Sequence, residues 1–208
     1  MNDHQSKVVL SWLLPIIIGL IIALLIRQFW FTVVKVDGNS MQPNLQNNQH
    51  VVAVKTSTIK RGSVIVFHAY GVDAAQADHN AVYVKRVVAV GGDKVRYTHA
   101  GKLYVNNKLV KQTYQPNHYQ LTTGSYMANA HSQFTGWTLT SLSHNQPAWQ
   151  VTVTNNRVPK GSYFVLGDHR SVSNDSRNWG FVSQNKVIGV VKAWPWQNRQ
   201  QYINHFQN

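Results

Sequence analysis

Between Val8 and Ile26 the chain reads VVLSWLLPIIIGLIIALLI, nineteen residues without a charge. As an α-helix rising about 1.5 Å per residue it spans about 28 Å, close to the hydrocarbon thickness of a bilayer. Such a run is either a cleaved leader or a retained transmembrane helix. A leader's apolar core is usually about 7–15 residues long and ends at an A-x-A-like site. This run is longer, no such site comes after it, and RQFWF (Arg27 to Phe31) has the composition of an interfacial aromatic anchor. The reading is a retained helix over 8–26, with Phe29, Trp30 and Phe31 in contact with the membrane. Pro15 and Gly19 are tolerated in such helices. Charge does not set the orientation, because Lys7 lies on one side and Arg27 and Lys35 on the other.

The chain beyond the helix must fold. Hydrophobic residues make up 43% of the chain and seven are Trp, which excludes a disordered protein. All seven acidic residues are Asp. Without Glu there is no HExxH zinc site, no Glu–Asp glycosidase pair and no EF-hand. Without Cys there are no disulfides, thiolate nucleophiles or Cys-ligated zinc. Beyond Arg27, 18 basic residues against six acidic leave a net charge of +12. Such a surface is drawn to anionic lipid headgroups or wall polymers. Nothing beyond charge suggests nucleic acid.

The soluble part reads mostly as strands: FTVVKVDG ending in a glycine turn, then His50 to Thr56, Ser63 to Tyr70, Ala81 to Thr98, Lys102 to Val110 and Ser162 to Asp168. KLYVNNKLV is a hairpin around Asn106 and Asn107, which tolerate positive φ. From Lys111 to about Arg157 the chain is polar and reads as an inserted small β region or a set of mobile loops. Helix periodicity is convincing only in the apolar segment.

Ser40, in VDGNSMQPNL, stands a few residues beyond that segment. A serine that does chemistry needs a base. The ten His are scattered and none sits in a triad motif, and G-x-S-x-G is absent. Two S-x-x-K matches, at Ser57 and Ser183, lack S-D-N and K-T-G partners. Lys85 remains, inside the apolar strand AVYVKRVVAVGG, with Tyr83 and Val87 on its own face. Desolvation there would lower its pKa, and neutrality at pH 7 needs a fall of about 3 from 10.4. Alternatively Lys85 snorkels from an edge strand to water, with Arg86 on the opposite face. A third stretch, GDHRSVSNDSRNWGFV, carries Asp168, Arg170, Asp175 and Arg177, which can pair among themselves, and Ser173 or Ser176, either of which could orient the lysine. It can equally be a well-tied structural loop.

Taken together, GNSMQPNL after an N-terminal membrane helix, YVKRVVAVGGDKV and GDHRSVSNDSRNWGFV, with a weaker RGSVIVF, resemble in order and spacing the bacterial type I signal peptidases, in their short Gram-positive-like form. The resemblance implies a mostly β protein: an antiparallel β catalytic domain with a smaller inserted β region (about 99–157), tethered by one transmembrane helix. The amino terminus (1–7) would be cytoplasmic and residues 27–208 extracytoplasmic. It implies Ser40 as nucleophile, Lys85 as general base and Ser173 as the residue that positions the lysine. Asp175 and Arg177 match a supporting ion pair, and Asp168 and Arg170 match loop-stabilising residues. The oxyanion hole would use the Ser40 backbone N–H, with Gly38 where some members carry a further hydroxyl. Met41 would join the apolar membrane-contacting surface beside the active site. No metal or cofactor is implied. The substrate is the leader of an exported preprotein, bound as an added strand with small residues at −1 and −3. Departures occur at Asn44, Ser63 and His169, where the family usually has Thr, Asp and Asn. Two rivals stand beside this reading. Self-cleaving SOS repressors share a Ser–Lys dyad but need a DNA-binding domain where this chain has an apolar helix. The other rival is a catalytically silent, membrane-anchored binder of anionic wall polymer.

Overall fold

The apolar run forms the first element of a computed structural model that describes residues 3–116 and 136–205, with side chains from residue 11 onward. Helix α1 (Asp3–Trp30) is continuous through Pro15. Its Ser11–Trp30 part has a mean hydropathy of 2.2, has no buried residue, and is long and apolar enough to cross a membrane. The helix outruns the 8–26 stretch and takes in Phe29 and Trp30 before β1 (Phe31–Lys35) begins with no linker. The Lys55 backbone N–H donates to the Trp30 carbonyl at 2.9 Å, and Lys55 Nζ donates to the Gln28 carbonyl at 2.7 Å. Both carbonyls belong to the last turn, where a helix leaves acceptors unpaired and favours a positive charge.

Beyond the helix lie two antiparallel sheets. Strands β1, β2 (His50–Val54), β3 (Val64–His68), β4 (Val82–Val90), β9 (Ser162–Leu166), β10 (Val182–Ser183) and β11 (Val187–Lys192) form the larger, in the order β1-β2-β11-β3-β4-β9-β10. Central β3 is buried on both faces: Val64 and Val66 pack with Met41, Leu45 and Val84, while Ile65 and Phe67 pack with Val87, Val165 and Trp179. That explains the unbroken apolar run VIVF. The smaller sheet, β7-β6-β5-β8, is inserted between β4 and β9 and comprises β5 (Val95–Thr98), β6 (Leu103–Val105), β7 (Lys108–Leu109) and β8 (Gly136–Thr138). Tyr97, Trp137 and Leu139 from that region bury against Phe164 and Leu166 of the large sheet. The mostly β, antiparallel fold with a smaller β insertion is therefore as expected.

Three local readings change. Ala81 to Thr98 is not one strand: a turn at Gly91–Gly92, with Gly92 at φ +91°, ends β4 and sends β5 into the other sheet. VIGVVK forms a strand that its sequence hides, because Gly189 interrupts it. That glycine sits at a register shift, where a Cβ would come 2.8 Å from the Val54 carbonyl oxygen. The polar stretch holds β8 and helix α2 (Leu139–Asn145), capped by Thr138 and Ser141. Residues 117–135 of that stretch lie outside the described residues. The Asn106–Asn107 hairpin forms as expected, both residues at positive φ (51° and 65°).

Candidate active site

Ser40 opens a short turn after Gly38, whose φ of +82° redirects the chain leaving β1. The turn is closed by backbone bonds from Gln42 to Asn39 and from Leu45 to Met41, and is anchored by buried Met41 and Leu45. Lys85 stands in β4, opposite Ile65 of β3. Its Nζ is 2.8 Å from Ser40 Oγ and 5.5 Å from the centre of the Tyr83 ring.

Of the two sequence readings for Lys85, the buried one holds, for the residue is 6% exposed. Burial pulls its pKa down from 10.5 to about 8, aided by the positive charge of Arg177 and opposed by the carboxylates of Asp175 and Asp168. About a tenth of the lysine is then neutral at pH 7. A neutral amine in contact with a hydroxyl can take its proton. Among the described residues, no acceptor takes the Ser40 backbone N–H. The Ser40 carbonyl, by contrast, accepts from the His169 N–H at 3.0 Å.

The loop after β9 holds that carbonyl in place. Asp175 Oδ2 accepts from the Gly167 N–H at 3.0 Å, and its two oxygens take Arg177 Nε and Nη2 at 2.8 and 2.9 Å. Burial alone would raise the Asp175 pKa, but the Arg177 charge and these bonds outweigh it and hold the carboxyl below its usual range. The Asp175–Arg177 pair is thus present as expected. Gly167 is wedged between the Ser40 carbonyl and Ser173, leaving no room for a Cβ. Ser173 is fully buried, close enough to Asp175 to favour its ionised form, but its hydroxyl has no hydrogen-bond partner of good geometry and does not reach Lys85.

Pairing within the loop stops there. Asp168 does not pair with Arg170. It accepts Arg86 Nε on Oδ1 and Arg86 Nη2 on Oδ2, both at 2.7 Å, and both side chains are buried. Arg170 instead donates to the Gly167 carbonyl at 3.0 Å and to the Tyr114 hydroxyl at 2.8 Å. The reason is the pleat: Arg86, next to Lys85, points to the opposite face, where Asp168 waits. Arg86 Nη1 also reaches the Gly62 and Tyr202 carbonyls, both at 2.9 Å. Asn44, which the sequence marks only as a departure, is a second hub. Its amide donates to Asp168 Oδ2 and to the Tyr114 carbonyl, both at 2.7 Å, and it accepts from Arg199 Nε at 2.8 Å. The serine turn, the Asp168 loop, the insertion and the C-terminal segment thus meet at one amide. No local pattern in the sequence signals such a long-range contact.

A cleft of about 230 Å³ runs past Ser40 and Lys85, between Lys35–Asn39 on one side and Val82–Val84 on the other. The first side is the end of edge strand β1 and the turn after it, and the second is a free strand edge. β1 ends the sheet, and β9 pairs with β4 only from Arg86 onward. Phe29, Trp30 and Phe31 are exposed where α1 meets the sheet, with Trp194 and Trp196 stacked at 5.3 Å in a segment that is also exposed. Met41 does not belong to that surface. It is 1% exposed and packs in the core beneath the serine turn, so its expected membrane contact is corrected.

Residues 9–196 match the family described as signal peptidase, peptidase S26. A signal peptidase IB from Staphylococcus aureus (strain COL) is 32% identical over 96% of this chain and 97% of its own length. A signal peptidase I from Bacillus caldolyticus is 33% identical over 95% and 97%. A crystal structure of a signal peptidase I from Enterococcus faecalis V583, at 27% identity and a TM-score of 0.45, covers 64% of this chain and 97% of that one. With the family matched over most of its length and relatives above 30% identity across nearly all of it, this chain belongs to the signal peptidases of the S26 family.

Proposed function

We propose that Ser40 and Lys85 are the nucleophile and general base with which this signal peptidase removes leaders from exported preproteins. The observation that carries the assignment is the 2.8 Å contact between Ser40 Oγ and a buried lysine whose pKa has fallen to about 8. Neutral Lys85 takes the Ser40 hydroxyl proton as Oγ bonds to the scissile carbonyl carbon. The oxyanion so formed accepts from the unengaged Ser40 N–H. The Lys85 ammonium then gives its proton to the departing amine, breaking the peptide bond and releasing the mature chain. Lys85 next takes a proton from a water that attacks the acyl-enzyme, and returns it to Ser40 Oγ as the ester to the leader is cleaved.

The leader lies in the cleft as a strand beside the free Val82–Val84 edge of β4, which supplies backbone partners to an extended chain. Residues at −1 and −3 share one face of such a strand, and the small volume near Ser40 favours small side chains there. The exposed Phe29–Phe31 group rests at the bilayer surface, with the amino terminus cytoplasmic and the sheets outside. Tethering near the bilayer raises the effective concentration of a membrane-bound leader. Cleavage of a preprotein by detergent-solubilised protein tests the assignment. Wild-type protein yields mature product and folded Ser40→Ala does not, whereas processing by the Ala variant would remove Ser40 from the role.

A further inference from the structure

Asp73 lies in the turn after β3 and takes no part in the chemistry above. It is 5% exposed, a costly place for a carboxylate unless its oxygens are well bonded. Oδ1 accepts from the Ala75 N–H at 3.0 Å. Oδ2 accepts from two side chains, the Tyr83 hydroxyl at 3.0 Å and the Asn174 amide at 2.7 Å. These come from different parts of the chain, β4 and the loop after β9, and both line the cleft beside Ser40 and Lys85. Each is braced at a second point. Asn174 Oδ1 accepts from Asn178 Nδ2 at 3.1 Å, and the Tyr83 ring meets Phe67 edge-on, 6.0 Å between centres.

We propose that Asp73 is a positioning residue that clamps Tyr83 and Asn174 together as one rigid wall of the cleft, and so restricts the leader residue next to the scissile bond to small side chains. This rests on the assignment of Ser40 and Lys85 as the cleaving pair. A single carboxylate oxygen holds both donors, so the wall cannot open without breaking a buried, charge-assisted bond. A bulky residue at −1 must force that opening, whereas an alanine fits without it. A carboxylate that merely tied the 69–80 turn would lack this effect on substrate choice.

The test uses full-length protein in detergent and two preproteins that differ only in Ala or Val at −1, with kcat/KM measured for each. Wild type prefers Ala. Asp73→Ala is expected to cut that preference at least tenfold, chiefly through faster cleavage after Val. Tyr83→Phe, which loses one of the two clamping bonds, should cut it less, and Asp73→Asn, which keeps an acceptor, should retain most of it. Partial unfolding lowers both rates alike and leaves the ratio untouched, so the ratio reads the wall and not the fold. If Asp73→Ala does not fold, Tyr83→Phe and Asn174→Ala decide. An unchanged ratio in the folded variants, or a wild type indifferent to −1, overturns the proposal. Failure of the catalytic assignment would appear elsewhere, as cleavage by Ser40→Ala.

Discussion

Arg86 grips Asp168 through two parallel hydrogen bonds of 2.7 Å, and the side chains of both are 1% exposed. The pair sits one residue from Lys85 on β4 and one from the Gly167 contact with Ser40. It therefore fixes the strand that carries Lys85 to the loop that holds the Ser40 carbonyl. Arg86→Met strands Asp168 as a buried carboxylate and should cost about 3–5 kcal/mol. Arg86→Lys should recover little of this, since an ammonium cannot make the fork. Urea unfolding of detergent-solubilised protein measures both. A loss below about 1 kcal/mol for Arg86→Met would show that the fork is not held tightly in solution.

Ser173→Ala should slow preprotein cleavage substantially while leaving stability unchanged within about 1 kcal/mol. The stability half rests on Asp175, beside the buried hydroxyl, which keeps its bonds to the Gly167 N–H and to Arg177 after the change. The kinetic half requires that unpaired hydroxyl to become the partner of Lys85 during turnover. Kinetics and thermal melting of the same preparation check both, and an unchanged rate would leave Ser173 as loop packing only.

How much of this was legible in the sequence divides along range. Lys85 drew attention because a cation inside an apolar strand is anomalous in its own neighbourhood, though burial and snorkelling both stayed open there, and Ser40 stood out only when its stretch was set beside the other two. The Asn106–Asn107 hairpin was legible for the same reason, its turn chemistry being local. Arg86 and Asn44 were not, because their partners Asp168, Tyr114, Arg199 and Tyr202 lie far away in sequence. Met41 misled because an apolar residue beside a nucleophile can face either the cleft rim or the core, and the turn directs it inward. Charges in one loop were expected to pair there, but the β pleat offered Asp168 a better-placed arginine.

The pH dependence of kcat/KM should track the deprotonation of Lys85. Below its pKa of about 8 the rate rises roughly tenfold per pH unit, and above it the rate levels off. A half-rise near 6.5 would point instead to a histidine.

The same pKa makes a stability prediction. Folded Lys85 loses its proton near pH 8 and the unfolded residue near 10.5. Below pH 8 both states are protonated and the full cost of the buried ammonium, about 3 kcal/mol, is present. Between pH 8 and 10.5 the unfolded chain binds more protons, so stability rises with pH and the cost fades. Lys85→Met, which has no such cost, should be more stable than wild type at pH 7, with the gap closing towards pH 10. Denaturant unfolding of both proteins at the two pH values reads the gap, and a gap that is absent at pH 7 or widens with pH would show that the amine is not desolvated.

The proposed mechanism turns on a neutral Lys85 that takes the Ser40 proton, and its most direct test is preprotein cleavage by folded Lys85→Met at pH 8. The side chain keeps its volume and apolar stem and loses only the amine. The expected result is a protein that melts no lower than wild type and forms no mature product above the level of folded Ser40→Ala. Turnover near the wild-type rate would contradict the assignment of Lys85 and send the search for the base to the ten histidines.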